Sequence, residues 1–362
     1  MKTQISKQSY HKITDELIDK IYAKDIERFS LVFGGHIFFQ TLSAAVRFDL
    51  FTLLSSEGGL THPQIAKSLG IDEKPCRILL LGLMAVKLLR KKGDIYTNAP
   101  LADIALNRKS PKNLLSFVEL QHHVMYKAMN SFYDAIKANT NVGLKEFKGD
   151  EPTLYQRLAH YPDLEKIFQA AMEDLSVQAN ASFAQHVDLS HVKHLVDVGG
   201  GNGANIIAFA RKYPKLRATV FDFPSVCEIA RKNIKAQSFT DRLGAAPGNC
   251  FTDAFPKGAD CILFCHFFTI WSEEKDKLLL KKSFDALPSG GSAIIFNQMQ
   301  SDKEDGPLAA AIGSPYFLTL ATGEGMLYTW SEYESWMKQA GFIKVKRQKL
   351  PRDHGVIIGV KP

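Results

Sequence analysis

The chain has 362 residues, 45% of them hydrophobic, which is enough to bury a core and to form two or three units. Its formal net charge of +7 comes from 45 Lys and Arg against 38 Asp and Glu spread along the chain, without the block of like charges that marks a nucleic-acid-binding tail. No apolar run approaches the roughly 20 residues that span a bilayer, and residues 1–20 lack the apolar stretch of a signal peptide.

The cysteine pattern indicates the compartment. Five cysteines are an odd number, they form no CxxC pair, and they lie mostly in apolar surroundings. Such cysteines are typical of reduced thiols. We therefore expect a cytoplasmic protein, with neither a membrane nor a nucleic acid among its partners and without a metal site.

The N-terminal part, residues 1–110, predicts helices that end in a winged helix. Apolar residues recur at three- and four-residue steps, and Thr61 and Asp72 are each placed to begin a helix. The stretch "LLRKKGDIYT" then predicts two short strands joined by a turn. The helix "KPCRILLLGLMAVKLL" is too apolar for a DNA groove, so we interpret this part as a dimerisation domain. A winged-helix DNA-binding regulator is the alternative.

Two further segments complete the predicted organisation. Residues 111–185 return to helical periodicity and are interpreted as a connector that contributes to a substrate cavity. From residue 186 to 362, apolar runs such as "HLVDVGG", "RATVFDF", "DCILFCHFF" and "SAIIFNQM" alternate with helical segments. Strand and helix in alternation predict an α/β fold, a Rossmann-like doubly wound sheet, and the last two apolar runs predict a hairpin at its edge.

A glycine-rich turn follows the first of these strands. In "HLVDVGGGNGANII", Asp197 ends the strand, and Gly199, Gly201 and Gly203 form the turn into a helix, where a ligand reaches the backbone with no Cβ in the way. Gly199, Gly201 and Ala204 also satisfy the pattern of dinucleotide binders, so the turn alone does not identify the ligand.

The neighbouring strand ends narrow the choice of ligand. Asp197 is placed to bind an ammonium group, and Asp222 in "FDFP" to accept hydrogen bonds from both hydroxyls of a ribose. Phe223 is placed to lie against an adenine ring, and Asn249 in "GNCF" to pair with the adenine edge. Ammonium, ribose and adenine together describe S-adenosylmethionine.

The order of these segments resembles the O-methyltransferase family that includes plant caffeic acid and hydroxyindole O-methyltransferases and bacterial antibiotic-tailoring enzymes. The resemblance covers nearly the whole chain and includes the C-terminal "YTWSEYESWMKQAGF". It implies an intertwined homodimer and an S-adenosylmethionine-dependent methyltransferase of secondary metabolism. The predicted cofactor-binding residues are Asp197, Gly199, Gly201, Gly203, Asp222, Phe223, Asn249, Cys250, Phe251, Cys265 and Trp271. Two depart from the family, which commonly has Asp at position 249 and often Lys at position 265.

The segment "CHFFTIWSEE" departs from the family at the catalytic positions. Most O-methylating members have a histidine that deprotonates the acceptor hydroxyl where this chain has Thr269, and an aspartate where it has Ile270. The acid expected on the next strand, which would orient the histidine, is replaced by Asn297. Base and orienting acid are lost together, so the usual deprotonation is not expected.

Three interpretations follow from this loss. The first is methyl transfer to an acceptor that needs no base, such as an activated ring carbon, a nitrogen or a phenolate, because positioning and desolvation supply much of the acceleration. The second is a replacement base, with His266 the preferred candidate because it lies at the carboxyl end of a strand. The third is a different reaction on the same cofactor-binding scaffold, such as a cyclisation or hydroxylation.

The residues near the predicted acceptor site favour a small aromatic or related apolar metabolite. We therefore predict a methyltransferase that modifies the oxygen, carbon or nitrogen of such an acceptor. The predicted substrate-binding residues are His122, Phe168, Met172, Thr269, Asn297, Tyr316 and Phe317.

Overall fold

The computed structural model describes residues 15–362, and its contacts divide them into two compact units that meet between His122 and His123. The predicted boundaries at 110 and 185 stay predictions. The predicted lack of a signal peptide in residues 1–20 stays a prediction, because residues 1–14 lie outside the described residues. Among the described helices none is long and apolar enough on its own to cross a membrane; one bent pair, Asp25–Phe33 with Gly35–Arg47, passes by length and composition.

The first unit is mainly helical and contains a three-stranded antiparallel sheet in the order β1-β3-β2. Its elements are α1 Asp15–Phe33, α2 Gly35–Arg47, α3 Leu50–Glu57, β1 Leu60–Thr61, α4 His62–Leu69, α5 Glu73–Ala85, β2 Leu89–Lys92, β3 Ile95–Asn98, α6 Pro100–Leu106 and α7 Leu115–Leu120. Two helices followed by a strand pair confirm the predicted winged helix.

Local sequence explains the ends of the winged-helix helices. Thr61 begins α4 in a capping box, in which its backbone N–H donates to Gln64 Oε1 at 2.8 Å. Asp72 stands at the N-cap of α5. Helix α5 buries Leu79, Leu80 and Leu83 in the core of this unit.

The second unit contains a seven-stranded sheet with helices on both faces. Its elements are α8 Tyr126–Ala128, α9 Phe132–Ala138, α10 Leu154–Arg157, α11 Pro162–His186, β4 His194–Val198, α12 Ala204–Lys212, β5 Arg217–Asp222, α13 Pro224–Ala236, β6 Leu243–Pro247, β7 Cys261–Cys265, α14 Glu273–Ala286, β8 Ser292–Gln298, α15 Leu308–Tyr316, α16 Trp330–Gln339, β9 Ile343–Lys349 and β10 His354–Val360. Short π-helices cover Gln121–Met125 and Phe317–Ala321, and a 3₁₀ turn covers Phe268–Ile270.

The strand order is β6-β5-β4-β7-β8-β10-β9. Strands β4 to β8 are parallel, whereas β10 is antiparallel to both β8 and β9. The predicted doubly wound sheet with a terminal hairpin is confirmed, and the second strand of the hairpin lies between β8 and β9. The carboxyl ends of β4, β5 and β7 are neighbours, so side chains that follow these strands meet at one edge of the sheet.

Two apolar layers cover the faces of the sheet. On one face, Phe183 of α11 lies 4.9 Å from both Phe209 and Phe296, measured between ring centroids, and ties the long helix to the sheet. Burying one such ring stabilises the fold by about 1.5–3 kcal/mol. On the other face, Phe268 and Tyr333 pack with Ile295 of β8. Strand β8 therefore contributes Phe296 to one apolar layer and Ile295 to the other.

Candidate active site

The turn between β4 and α12 carries three glycines with left-handed backbone. Their φ angles are +69° at Gly199, +58° at Gly201 and +80° at Gly203, values that glycine adopts without steric cost. A Cβ at Gly199 would stand 2.3 Å from the ring of Phe267, whereas a Cβ at Gly201 would meet nothing within 4 Å. The Phe267 ring therefore lies directly against the backbone of the loop, a contact that the sequence pattern did not predict.

Asp197 is fully buried beside this loop. Asn205 Nδ2 donates a 2.9 Å hydrogen bond to Asp197 Oδ2, while Oδ1 has no hydrogen-bond partner among the described residues. Burial raises the pKa of Asp197 to about 7; the Asn205 hydrogen bond opposes the shift and the charge of Asp222 adds to it. A cation that pairs with this carboxyl group would favour its ionised form.

Two further polar groups lie close to Asp197. Cys265 Sγ is 3.7 Å from Asn180 Oδ1, and the amide nitrogen of Asn180 is buried without a partner among the described residues. Burial raises the pKa of the Cys265 thiol, and the charge of Asp197 adds to that shift. A free carboxylate oxygen and a free amide N–H fit the ammonium and the carboxylate of a methionine group. Asn180 lies in a helix without a motif, so the sequence did not point to it.

Asp222 is linked to the glycine loop. Gly201 N donates to Asp222 Oδ2 at 3.1 Å, and Phe223 N donates to Oδ1 at 2.7 Å. Burial raises the pKa of Asp222, and these two backbone hydrogen bonds oppose that shift. The next side chain, Phe223, is 57% exposed and leaves its ring face open. A carboxylate and an open aromatic face are groups that can accept hydrogen bonds from ribose hydroxyls and stack on a base.

The predicted adenine wall is built from a turn and an aromatic pair. Asn249 Oδ1 accepts a hydrogen bond from Phe251 N at 3.0 Å, so its amide nitrogen is the group left for a ligand. The rings of Phe251 and Trp271 meet edge to face at 5.0 Å. Lys275 Nζ lies 4.8 Å from the centre of the Trp271 ring and 2.7 Å from Glu324 Oε1. Lys275 belongs to the first turn of α14, whereas Trp271 precedes the N-cap Ser272 in an extended conformation, so helical spacing did not indicate this contact.

Cys250 completes this turn. Its carbonyl accepts a hydrogen bond from Lys282 Nζ, and burial raises the pKa of its thiol to about 12. The thiol therefore stays protonated and acts as an apolar contact rather than as a nucleophile.

The two residues expected at the positions of the family's base and its orienting acid are both buried. Thr269 is 5% exposed in the turn after β7, and Asn297 is fully buried near the end of β8. Asn297 Nδ2 donates to Tyr333 Oη at 3.2 Å, while its Oδ1 has no partner among the described residues. A threonine hydroxyl and an amide cannot take up a proton near neutral pH.

The remaining predicted substrate residues fall into two places. Phe168 and Met172 lie one turn apart on α11, and Tyr316 and Phe317 lie where α15 passes into the π-helix. His122 belongs to the first unit, where its Nδ1 is 2.9 Å from Ser43 Oγ. The four residues of the second unit are aromatic or apolar, and the rings of Tyr316 and Phe317 are in contact.

His266 faces away from Thr269. Its backbone has φ +50°, its Nε2 is 3.0 Å from His354 Nε2, and its Nδ1 is 3.5 Å from Cys265 Sγ. Burial lowers its pKa to about 3, and His354 adds to the shift. These contacts favour a structural role, and the acid/base role of His266 stays a prediction. Among the described residues, no group of three or more His, Cys, Asp or Glu side chains is arranged to hold a metal ion.

Asp276, on the first turn of α14, is a buried acid outside the predicted site. Both of its carboxylate oxygens lack a partner among the described residues. Burial raises its pKa well above the usual range, and the charge of Glu324 adds to this. Because the unfolded chain ionises this acid at lower pH than the folded protein does, the folded state loses stability as the pH rises above about 4.

We expect Asp276→Asn to stabilise the protein by about 1–3 kcal/mol at pH 8, because the unfolded chain ionises this acid freely at that pH whereas the folded protein buries it without a partner. The gain should shrink towards pH 4, where the acid is protonated in both states. Urea denaturation at the two pH values measures it. Asp285→Asn on the same helix is the matched control, because Asp285 is exposed and pairs with Lys281; an equal gain from both variants would contradict the assignment.

Comparison with known proteins agrees with this geometry. The family model described as "O-methyltransferase domain" matches residues 129–343, and the one described as "O-methyltransferase dimerisation domain" matches residues 30–108. The chain is 36% identical to L-tyrosine C(3)-methyltransferase of Streptomyces lavendulae, over 93% of both chains. It is 32% identical to 3-hydroxy-5-methyl-1-naphthoate 3-O-methyltransferase of Streptomyces sahachiroi, over 89% of this chain and 91% of that one.

A solved structure also resembles this chain throughout. The apo form of the S-adenosylmethionine-dependent methyltransferase SibL superposes with a TM-score of 0.83 at 35% identity. The match covers 92% of this chain and 98% of SibL.

Proposed function

The chain belongs to the O-methyltransferase family, and from that premise we propose that it methylates a ring carbon of a phenolic amino acid. It is an S-adenosylmethionine-dependent methyltransferase of the group that contains O- and C-methyltransferases of secondary metabolism. The finer choice of carbon over oxygen, and of a tyrosine-like acceptor, is the proposal. The name of the 36% identical relative, L-tyrosine C(3)-methyltransferase, supports it.

The observation that carries the proposal is the chemistry of Thr269 and Asn297. Methyl transfer to a hydroxyl oxygen needs a group that takes its proton, and neither of these side chains is basic. The side-chain amide of Asn297 is hydrogen-bonded to Tyr333 and not to a histidine. A phenol, however, places electron density on the carbon next to its hydroxyl, so that carbon attacks without a base beside it. The acceptor therefore contributes the reactivity that the family's histidine otherwise provides.

The cofactor supplies an electrophilic methyl group on a sulfonium. The chain would hold its methionine end with the free Oδ1 of Asp197 and the free amide of Asn180. Asp222 would bind the ribose hydroxyls, and Phe223 and Trp271 would contact the base. Because Asp197 is buried, its charge pairs strongly with an ammonium, and that pairing fixes the direction in which the donor group points.

The acceptor cavity would be formed by Phe168, Met172, Tyr316 and Phe317. Aromatic and thioether side chains bind a ring and exclude water from it. Exclusion of water protects a carbon nucleophile from competing protonation and strengthens the electrostatic attraction between a phenolate and a sulfonium.

We also propose a homodimer. The first unit matches the family's dimerisation domain, and α1 and α2 expose large apolar side chains. Phe29 is 63%, Phe33 75% and Ile37 58% exposed within one chain. Exposed apolar clusters of this kind mark protein interfaces. Sedimentation analysis at micromolar concentration should give twice the chain mass; a monomer would refute this.

The test of the proposed function is product analysis. The protein is incubated with S-adenosylmethionine and L-tyrosine, S-adenosylhomocysteine is measured, and the product is examined by NMR. We expect a methyl group on the ring carbon beside the hydroxyl. A methyl ether would show oxygen methylation, and a modified acceptor without S-adenosylhomocysteine would show a different reaction; either result refutes the proposal. If L-tyrosine is not methylated, the proposed acceptor class is wrong.

A further inference from the structure

Two tyrosine hydroxyls lie beside residues of the proposed acceptor cavity. Tyr155 belongs to α10 and Tyr316 ends α15, and their hydroxyls interact with one another. Tyr316 Oη is enclosed and has no partner at normal hydrogen-bond distance among the described residues. A buried hydroxyl without a full hydrogen bond is unfavourable unless something completes it.

The surroundings of this pair are aromatic. The Tyr155 ring meets Phe168 at 5.8 Å with an interplanar angle of 68°, and the Tyr316 ring meets Phe317 at 5.1 Å with an angle of 63°. Burial raises the pKa of Tyr155 to about 12 and raises that of Tyr316 well above its usual value. Both hydroxyls therefore stay protonated in the physiological range and are hydrogen-bond donors in apolar surroundings.

The segment after Tyr316 joins this wall to the turn that carries Thr269. Thr322 Oγ1 donates to the Ile270 carbonyl. Gly325 approaches the same turn so closely that a Cβ there would stand 2.1 Å from the Thr269 carbonyl oxygen. The segment that follows Tyr316 is thus packed against the turn that carries Thr269, the expected position of the family's base.

We propose that Tyr155 and Tyr316 donate hydrogen bonds to the phenol oxygen of the acceptor and hold it as the phenolate. The inference rests on the proposed function and explains how an acceptor becomes reactive beside Thr269. Two donors placed at an oxygen that carries negative charge stabilise it most strongly where water is excluded.

Methyl transfer to the ring carbon requires no oxidant or reductant. The phenol proton passes to solvent as the acceptor binds, and the ring carbon beside the oxygen then uses a π-electron pair to form the new carbon–carbon bond. The methyl–sulfur bond breaks with its electrons on sulfur, and the ring becomes a dienone whose oxygen stays between the two hydroxyls. As the product returns to solvent, loss of the ring proton to water gives the electron pair back to the ring and restores the phenolate.

The first test measures binding and not turnover. The probe is 3-nitro-L-tyrosine, whose phenolate absorbs visible light, titrated against pH with the full-length protein and S-adenosylhomocysteine. We expect the wild-type protein to lower the pKa of the bound probe, and Tyr155→Phe and Tyr316→Phe each to reduce that shift. Failure of the wild-type protein to bind the probe, or to change its pKa, would overturn the inference.

The second test uses kinetics with ring-fluorinated L-tyrosines, whose phenols are more acidic. Each Tyr→Phe change should lower kcat by about 10- to 100-fold with L-tyrosine, as expected for the loss of a hydrogen bond to a charged oxygen. The loss should become smaller as the acceptor phenol becomes more acidic. A loss of the same size with every acceptor would indicate a merely structural role and reject the proposal.

Tyr213→Phe is the matched control. Tyr213 Oη donates a 2.8 Å hydrogen bond to the Val187 carbonyl, away from the acceptor wall, so its loss perturbs packing alone. This variant should leave the probe pKa unchanged. Failure of the two proposals is distinguishable, because the wild-type product decides between carbon and oxygen methylation, whereas the variants decide what holds the phenol oxygen.

Discussion

Asp197→Asn is expected to weaken binding of S-adenosylmethionine by about 2–5 kcal/mol, which is roughly 30- to 4,000-fold in Kd. The substitution keeps the shape of the side chain and the contact with Asn205. It removes the negative charge that would pair with the ammonium of the cofactor in a fully buried site. Isothermal titration calorimetry with the wild-type and variant proteins measures the difference.

The pH dependence of S-adenosylmethionine binding is a second measurement that tests Asp197→Asn. The pKa of Asp197 in the free protein is about 7, so the carboxylate must lose a proton to bind the ammonium when the pH is lower than that. Wild-type affinity should therefore rise about tenfold per pH unit up to pH 7 and then level off, until the ammonium itself titrates. The asparagine variant should show no such rise.

Asp260→Asn is the control for this experiment. Asp260 accepts hydrogen bonds from the backbone N–H groups of Lys193 and His194 at the opposite end of the sheet. Its replacement should affect stability but not the affinity for the cofactor. Equal weakening by the two substitutions, or a persistent pH dependence in Asp197→Asn, would contradict the role given to Asp197.

Gly199→Ala is expected to destabilise the protein by about 2–5 kcal/mol. The left-handed backbone at φ +69° costs a residue with a Cβ about 1–2 kcal/mol. The added methyl group would also collide with the Phe267 ring 2.3 Å away, and overpacking of this kind costs about 1–3 kcal/mol more. Urea denaturation without cofactor measures the loss directly.

Gly201→Ala separates the cost of the left-handed backbone from the cost of the collision with Phe267. Gly201 has a similar φ of +58°, but a Cβ there meets nothing within 4 Å. The expected loss is therefore only the backbone cost of about 1–2 kcal/mol. If both variants lose the same stability, the contact between Phe267 and the loop makes no energetic difference.

Much of the fold could be predicted because its strongest signals are local. The winged helix and strands β4, β5, β7 and β8 are apolar runs bounded by turns, and the glycine turn has a spacing that few other structures need. Strand β6 was implied only by the strand end assigned to Asn249, and no apolar run predicted it. Its sequence, "LGAAP", has residues of low β propensity, and it is a strand because it pairs with β5, a tertiary effect.

The candidate site could be predicted only in part, for a physical reason. Asp197 and Asp222 lie at the carboxyl ends of β4 and β5, which pair in parallel, so their proximity follows from topology. Asn180 comes from a distant helix, and nothing in its local sequence marks it. His266 has positive φ, which breaks the alternation of a strand, so its direction towards His354 could not be read from the pattern.

The contact between His266 and His354 also determines which of their ring nitrogens carry a hydrogen. His354 Nδ1 is 2.9 Å from the Arg352 carbonyl, which only accepts, so Nδ1 carries a hydrogen. In neutral His354, Nε2 is then an acceptor, and His266 must donate to it from its own Nε2. The Nδ1 of His266 is left as a lone pair facing Cys265.

The thiol of Cys265 has one hydrogen and two acceptors, His266 Nδ1 at 3.5 Å and Asn180 Oδ1 at 3.7 Å. If the histidine pair takes up one proton, His354 becomes the donor and His266 moves its hydrogen to Nδ1, which excludes the thiol hydrogen from that side. The thiol must then turn to Asn180. Uptake of one proton by the histidine pair therefore reverses the two links from His354 to Cys265 and turns the thiol hydrogen towards the Asn180 amide oxygen.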